Sequence, residues 1–326
     1  MDRRAFLAIA GTLMWTPMLG RGQASGRLYR IGILHPGTWS SDPALADFVT
    51  PLRELGYTEG GNLVIERRYV DGQLERLPSI AQDLVKSRVD LILAVGTLAS
   101  QAAKAATTTI PIVMLGNGDP VALGLVASYA KPGGNATAVV ISPQGSLGAK
   151  KLEMLREAIP KANRIALLLP DDPGPGTAQQ LQEIGQAAGS LNVELSVVRM
   201  QGTHYASAFA TIAAAKPAGL VVGAHPLFIR DRKILIEMSA KYRLPAIYEW
   251  PLFVKAGGLM SYGANDVETY REVAAYIDRV LDGANPGDIA VWQPSKLYLV
   301  INLGTAKALG LKLPASMLLR ADETIN

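Results

Sequence analysis

The chain has 326 residues, of which 49% are hydrophobic and 18% charged, which excludes a disordered chain and leaves room for two domains of ordinary size. The formal charge of +4 shrinks once an N-terminal leader is set aside, because 29 basic residues then face 27 acidic ones. That balance gives no charge argument for nucleic acid or a membrane surface as partner, and the absence of cysteine removes disulfides, thiolate metal sites and thiol nucleophiles.

Residues 1–24 read as a signal peptide. Arg3 and Arg4 precede an apolar stretch from Ala5 to Leu19, and small residues Gly22 and Ala24 precede the expected cut. The stretch is short for a membrane span and carries Pro17. Arg3-Arg4-Ala5-Phe6-Leu7 also resembles a twin-arginine export signal, with a general secretory signal as the alternative. The mature chain is therefore expected in the periplasm, cleaved near Ala24.

Tyr29–Leu34 reads as a first buried strand ending at His35-Pro36-Gly37, and 42–55 as a helix in which Pro51 predicts a kink or a late start. Leu63–Val70 alternates apolar and charged residues as a strand nearer the sheet edge would, and 77–86 is helical. The stretch from Asp90 to Pro120 organises what surrounds it. An apolar run, Leu91–Val95, breaks at Gly96-Thr97, passes through an alanine-rich helix, and returns as Ile110–Leu115 before Gly116-Asn117-Gly118-Asp119-Pro120. Short continuous apolar runs bounded by Gly or Pro predict strands buried on both faces, hence a parallel sheet with helical crossovers. Both breaks then lie at the carboxyl edge of the sheet, where open α/β sheets bind ligands. Thr97 is placed to cap the helix, whose free N–H groups favour an anion. A short helix is expected after Pro120, then a turn at 131–135 and a strand through Ala138–Ile141.

From Lys150 the pattern starts again. Arg164–Leu169 repeats Arg30–Leu34 at an offset of 134 residues, Gly219–His225 answers Asp90–Gly96 at 129, and Leu244–Ile247 answers Ile110–Val113 at 134. Three matches in order predict two similar Rossmann-like lobes with parallel sheets. The remaining elements, a strand at 257–262, a helix at 266–281, a strand at 289–302 and a helix at 303–309, read as crossing back to complete both lobes, which makes the join a three-strand hinge. The expected lobes are 27–142 plus 257–288, and 143–256 plus 289–326. The hinge crossings are expected near 141–148, 251–258 and 285–293.

Four segments carry a family resemblance: Leu52-Arg53-Glu54-Leu55-Gly56-Tyr57, Lys131-Pro132-Gly133-Gly134-Asn135, Gly257-Gly258-Leu259-Met260-Ser261-Tyr262-Gly263, and Asn302–Gly310 (NLGTAKALG). With them the mature chain resembles substrate-binding components of ABC uptake systems, in a subfamily paired with uncharacterised or aromatic-amino-acid transporters. Pro51 and the loop residues Trp39, Glu249 and Trp250 depart from the family's usual pattern. The resemblance implies a type I periplasmic binding fold that closes on a small molecule and meets an ABC permease in the inner membrane. A monomer is expected. A ligand-sensing protein serving a membrane receptor is the nearest alternative, and a periplasmic enzyme a more remote one.

Enzyme chemistry finds little footing. His35, His204 and His225 form no metal-ligand spacing, and no nucleophile elbow, P-loop or dinucleotide fingerprint is present. No cofactor and no metal is therefore expected, and no catalytic residue. The ligand contacts expected are His35, Trp39, Gly96, Thr97, Asn117, Asp119, His225, Glu249 and Tyr262. His35 and His225 each close one of the matched strands, in opposite lobes. Asp119 and Glu249 would accept an ammonium group, and Trp39 or Tyr262 would lie against a planar body. Each has a plainer role available, as helix cap, turn residue or core side chain. An amino-acid-like zwitterion fits this set better than a sugar, which wants several polar side chains converging on hydroxyls.

Overall fold

Strand residues of the first sheet alternate between two apolar layers, and this is why their runs carry no polar break. Ile31 and Ile33 enter one layer and Leu34 the other; Leu91 and Leu93 share the first with them, Ile92 and Ala94 the second. The structure is a computed structural model, and residues 27–37, 43–142, 147–171 and 174–326 are described. The leader, Trp39 and the loop residues 143–146 lie outside them.

The first lobe runs β1 (Tyr29–His35), α1 (Pro43–Glu54), β2 (Leu63–Tyr69), α2 (Leu77–Lys86), β3 (Leu91–Val95), α3 (Thr97–Ala106), β4 (Ile112–Asn117) and β5 (Ala136–Ser142). The second begins with α4 (Leu147–Ala158), β6 (Arg164–Pro170), α5 (Pro175–Ser190), β7 (Glu194–Met200), α6 (Tyr205–Ala214), β8 (Gly219–Val222), α7 (Pro226–Arg230) and α8 (Arg232–Lys241). It continues through β9 (Ala246–Tyr248), α9 (Pro251–Lys255) and β10 (Met260–Gly263). The chain then passes through α10 (Asp266–Leu281), β11 (Tyr298–Asn302), α11 (Leu303–Ala308), α12 (Ala315–Arg320) and β12 (Glu323–Ile325).

Two sheets result. The first has the order β2-β1-β3-β4-β5, all parallel. The second has the order β12-β11-β10-β9-β8-β6-β7, in which β7-β6-β8-β9-β10 repeats the order of the first. The internal repeat read from the sequence is thus a repeat of topology: β1 corresponds to β6, β3 to β8 and β4 to β9. Among the described strands only β11 runs antiparallel to a neighbour, β10. The second sheet is likewise sandwiched, with Ile165, Leu167 and Leu169 on one side and Ala166 and Leu168 on the other.

Several local expectations are corrected. Pro51 lies inside α1, which starts at Pro43 rather than late, and Leu55 N–H reaches the Pro51 carbonyl at 3.1 Å. After Pro120 the chain forms turns rather than a helix, closed by Leu123 N–H to the Asp119 carbonyl and Leu125 N–H to the Pro120 carbonyl. The strand β10, grouped by sequence with the first lobe, pairs with β9 and β11 in the second sheet. Its apolar pattern suits a central strand of either sheet, so only the pairing decides. The chain therefore crosses between β10 and α10, not near 251–258. Helix α10 returns to the first lobe, where Val273 and Ile277 join Phe48 and Leu52 in one core. Tyr57 Oη fixes the contact by donating to Asp278 Oδ1 at 3.0 Å. Residues 291–292 run beside β5, with hydrogen bonds Trp292 N–H to the Ala138 carbonyl and Val140 N–H to the Trp292 carbonyl, before the chain crosses back to β11.

Candidate functional site

The carboxyl ends of the parallel strands of the two sheets face each other, and a cavity with about 110 Å³ of space open to water centres lies between them. Its walls come from both lobes and from α10. Leu115, Ile141, Trp250, Leu252 and Tyr270 make it largely apolar, while Arg230 and Asp266 are the Lys/Arg and Asp/Glu side chains on its lining among the described residues. A mostly apolar concave site with a few placed polar groups is what small organic ligands require.

On the first-lobe side, Gly96 ends β3 with φ 84° and caps α3 without a side-chain hydrogen bond. Glycine is suited to that left-handed conformation, since a Cβ would be strained there. The expectation that Thr97 is the cap is corrected by one residue. Thr97 is the first helical residue, and its Oγ1 donates to the Asn117 carbonyl at 3.1 Å, tying the ends of β3 and β4 together. Ser100 Oγ returns to the Gly96 carbonyl at 2.9 Å. The first-turn amides of α3 therefore meet the cavity without a capping side chain, and favour negative charge. Asn117 presents Oδ1, which is buried and has no hydrogen-bond partner among the described residues.

His35 and His225 both line the cavity and use one local device. His35 Nδ1 accepts the Gly37 N–H at 2.9 Å, and His225 Nδ1 accepts the Leu227 N–H at 3.2 Å. With Nδ1 accepting, each neutral ring carries its proton on Nε2. Each histidine is followed by a proline, and Pro36 and Pro226 approach Gly96 from opposite lobes, 3.9 and 3.6 Å from where its Cβ would stand. The strands closed by the two histidines, β1 and β8, are not equivalent in the repeat. The counterpart of His225 is Gly96.

On the second-lobe side, Arg230 ends α7. Its Nε and Nη2 donate to the two oxygens of Asp231 at 2.6 and 2.5 Å, and Tyr205 Oη donates to Asp231 Oδ2 at 2.7 Å. Hydrogen bonding to Asp231 raises the arginine pKa further, with added attraction from Asp231 and from Asp71 of the first lobe. Burial and the bond to Asp231 push the Tyr205 phenol well up.

The structure brings His35, Gly96, Thr97, Asn117 and His225 together on one cavity and places three other expected contacts elsewhere. Asp119 Oδ1 accepts the Val121 N–H at 2.9 Å, closing a turn across Pro120. Glu249 accepts from Lys151 Nζ at 2.9 Å and borders a separate small polar chamber. Tyr262 packs its ring against the second-lobe core. Arg230, Asp266, Tyr270, Gln180 and Gly176 line the cavity without having been singled out from sequence. The His-Pro pair at 225–226 was the available signal for α7 and its Arg230. Nothing local marked Asp266 and Tyr270, which α10 brings back from the far side of a crossing.

The family profile "ABC transporter substrate binding protein" matches residues 35–325. The chain belongs to that family. A tyrosine-binding protein from Clostridioides difficile (strain R20291) is 29% identical over 278 residues, covering 85% of this chain and 79% of the relative. Among solved structures, an ABC domain from Streptococcus pneumonia in complex with L-Trp superposes with TM-score 0.80 at 24% identity, over 91% of this chain and all of that one. The ligand-free, open structure of a substrate binding protein with adhesive properties from Clostridium difficile gives TM-score 0.61 at 24% identity, over 92% and 100%. This substrate-binding protein has the two-lobed type I periplasmic binding fold that the resemblance implied.

Proposed function

We propose that this substrate-binding protein captures a small carboxylated, amino-acid-like molecule with an aromatic or large apolar body between its lobes. The observation that carries the reading is the charge count of the cavity among the described residues: one guanidinium, Arg230, and one carboxylate, Asp266, in a lining that is otherwise mostly apolar. A zwitterion matches one cation and one anion, and its apolar body matches Leu115, Trp250, Leu252 and Tyr270. The uncapped amides of α3 add to the carboxylate's side and Asn117 Oδ1 adds an acceptor for the ammonium.

The tyrosine-binding relative and the L-Trp complex support the aromatic amino acids as the first compounds to test. The ligand shifts the lobes toward the closed state by its greater affinity for it, and the closed form is the one presented to an ABC permease. Export by the leader at 1–24 to the periplasm and action as a monomer complete the proposal. The described residues contain no helix long and apolar enough to cross a membrane.

The test is a thermal-shift and calorimetric screen of L-tyrosine, L-tryptophan and L-phenylalanine against their decarboxylated amines, their des-amino acids and a panel of sugars. A ligand at ~100 times its dissociation constant adds roughly 2.7 kcal/mol of stability. Sugars binding in preference to all amino acids would overturn the reading.

A further inference from the structure

Arg230 differs from an ordinary surface ion-pair arginine in how it is held. Asp231 takes the Nε–Nη2 edge of the guanidinium in a fork, Tyr205 braces the same carboxylate from below, and both charged side chains are only 12–13% exposed. The other edge, at Nη1, makes no hydrogen bond with any described residue, and Arg230 lines the cavity between the lobes. A guanidinium fixed on one edge and open on the other is a preorganised donor for a planar anion.

Its position on α7 sets what lies opposite. Pro226 and Arg230 are four residues apart, hence on one face of the helix. Pro226 Cγ stands 3.6 Å from the Cβ position of Gly96, the residue that caps α3 from the other lobe. The first turn of α3 and Arg230 thus line one cavity from opposite lobes. The first-lobe loop at Asp71-Gly72 also reaches α7, with Leu227 Cδ2 3.7 Å from the Cβ position of Gly72.

We infer that Arg230 is the second-lobe half of a carboxylate clamp. The first-turn amides of α3 hold the ligand's carboxylate from one lobe and the Asp231-braced guanidinium of Arg230 holds it from the other. The carboxylate is then the group that couples binding to closure, because only in the closed form do both halves reach it. A ligand lacking the carboxylate still meets the apolar walls but bridges nothing. This rests on the proposed reading of the cavity as an amino-acid site and names which residue reads the acid.

The experiment compares L-tryptophan with tryptamine, and L-tyrosine with tyramine, by calorimetry on the wild type, Arg230→Met and Arg230→Lys. The wild type is expected to prefer each acid to its amine by at least a hundredfold. Arg230→Met should lower acid affinity tenfold or more, leave amine affinity within about twofold, and cut the preference accordingly. Arg230→Lys, which keeps the charge but not the fork, should show a three- to tenfold loss for the acid, and it serves alone if the methionine variant does not fold. Small-angle scattering should show Arg230→Met with bound L-tryptophan more open than the wild type at equal saturation. An unchanged acid-to-amine ratio in the variants would overturn the clamp while leaving the amino-acid reading intact. Failure of the wild type to bind any of the four compounds would overturn the amino-acid reading, and the clamp with it.

Discussion

Lys151 Nζ donates to Glu249 Oε2 at 2.9 Å, with the two side chains only 2% and 3% exposed. The pair joins α4 to the loop after β9, beneath a small polar chamber that also borders Asn117 and Gly118 of the opposite lobe. A buried pair is weak evidence of net stabilisation, yet removing one member strands a charge out of water. The glutamate read from sequence as a ligand contact is here committed to a lysine 98 positions away in the chain.

Glu249→Gln is therefore expected to lower folding stability by about 3–5 kcal/mol, measured by urea denaturation. Replacing both members with methionine should recover most of that loss. Ligand affinity, corrected for the folded fraction, should change less than tenfold. A large affinity loss with unchanged stability would instead return Glu249 to the ligand.

Gly176, in the first turn of α5, bears on closure. A Cβ built there would stand 3.1 Å from Thr97 Oγ1 of the other lobe, tighter than ordinary contact. Gly176→Ala should leave the ligand-free protein as stable as before or slightly more so, since alanine favours helix by ~1 kcal/mol over glycine in a helix interior. Binding should weaken about tenfold, as one crowded contact costs around 1–2 kcal/mol. Scattering at saturating ligand should give a larger radius of gyration than the wild type. A compact, tight-binding variant would show that Thr97 yields without cost.

Much of the architecture was legible because it is written in runs. Leu91–Ala94 and Ile165–Leu169 are buried on both faces, so a parallel sheet and its repeat followed from apolar continuity alone. The residues at strand ends, His35, Gly96, Asn117 and His225, were legible for the same reason: topology puts such ends at the cleft. The misses share a different cause. Asp119 and Glu249 sit near strand ends too, but a turn amide and a buried lysine claim their carboxylates, and such partners are set by tertiary contacts. Arg230, Asp266 and Tyr270 depend on α7 and α10 docking at the cleft, which no local period records.

Asn135, in the turn that helped reveal the family resemblance, holds three neighbours at once. Its Nδ2 donates to the Thr107 and Ile110 carbonyls at 3.2 and 2.7 Å, and its Oδ1 accepts from Lys104 Nζ at 3.0 Å. Asn135→Ala would leave buried carbonyls without donors, at ~1–3 kcal/mol each where water cannot enter. The expected loss is about 2–4 kcal/mol in denaturation, with ligand affinity unchanged because the site is at the amino end of β5, away from the cavity. A loss below half a kcal/mol would mean that water replaces the amide.

Alkaline stability should be governed by buried phenols. Tyr248 is buried against Phe253, with ring centroids 4.7 Å apart, and its Oη donates to Ser239 Oγ at 3.2 Å. Burial pushes its pKa up to about 12, and burial with carboxylate neighbours pushes Tyr57 and Tyr205 upward as well. Below about pH 10, the ordinary phenol value, both folded and unfolded states keep these protons and stability does not depend on them. Above it the unfolded chain releases protons that the native state retains, so stability falls by up to ~1.4 kcal/mol per pH unit for each such tyrosine. For Tyr248 the fall ends near pH 12, where the native phenol also ionises. Tyr248→Phe should therefore cost about 0.5–1.5 kcal/mol at pH 8 through the lost hydrogen bond. The variant should also lose stability less steeply than the wild type between pH 10 and 11.5. Urea denaturation across that range is the measurement, and parallel slopes for the two proteins would show that Tyr248 ionises no later in the native state than in the unfolded chain.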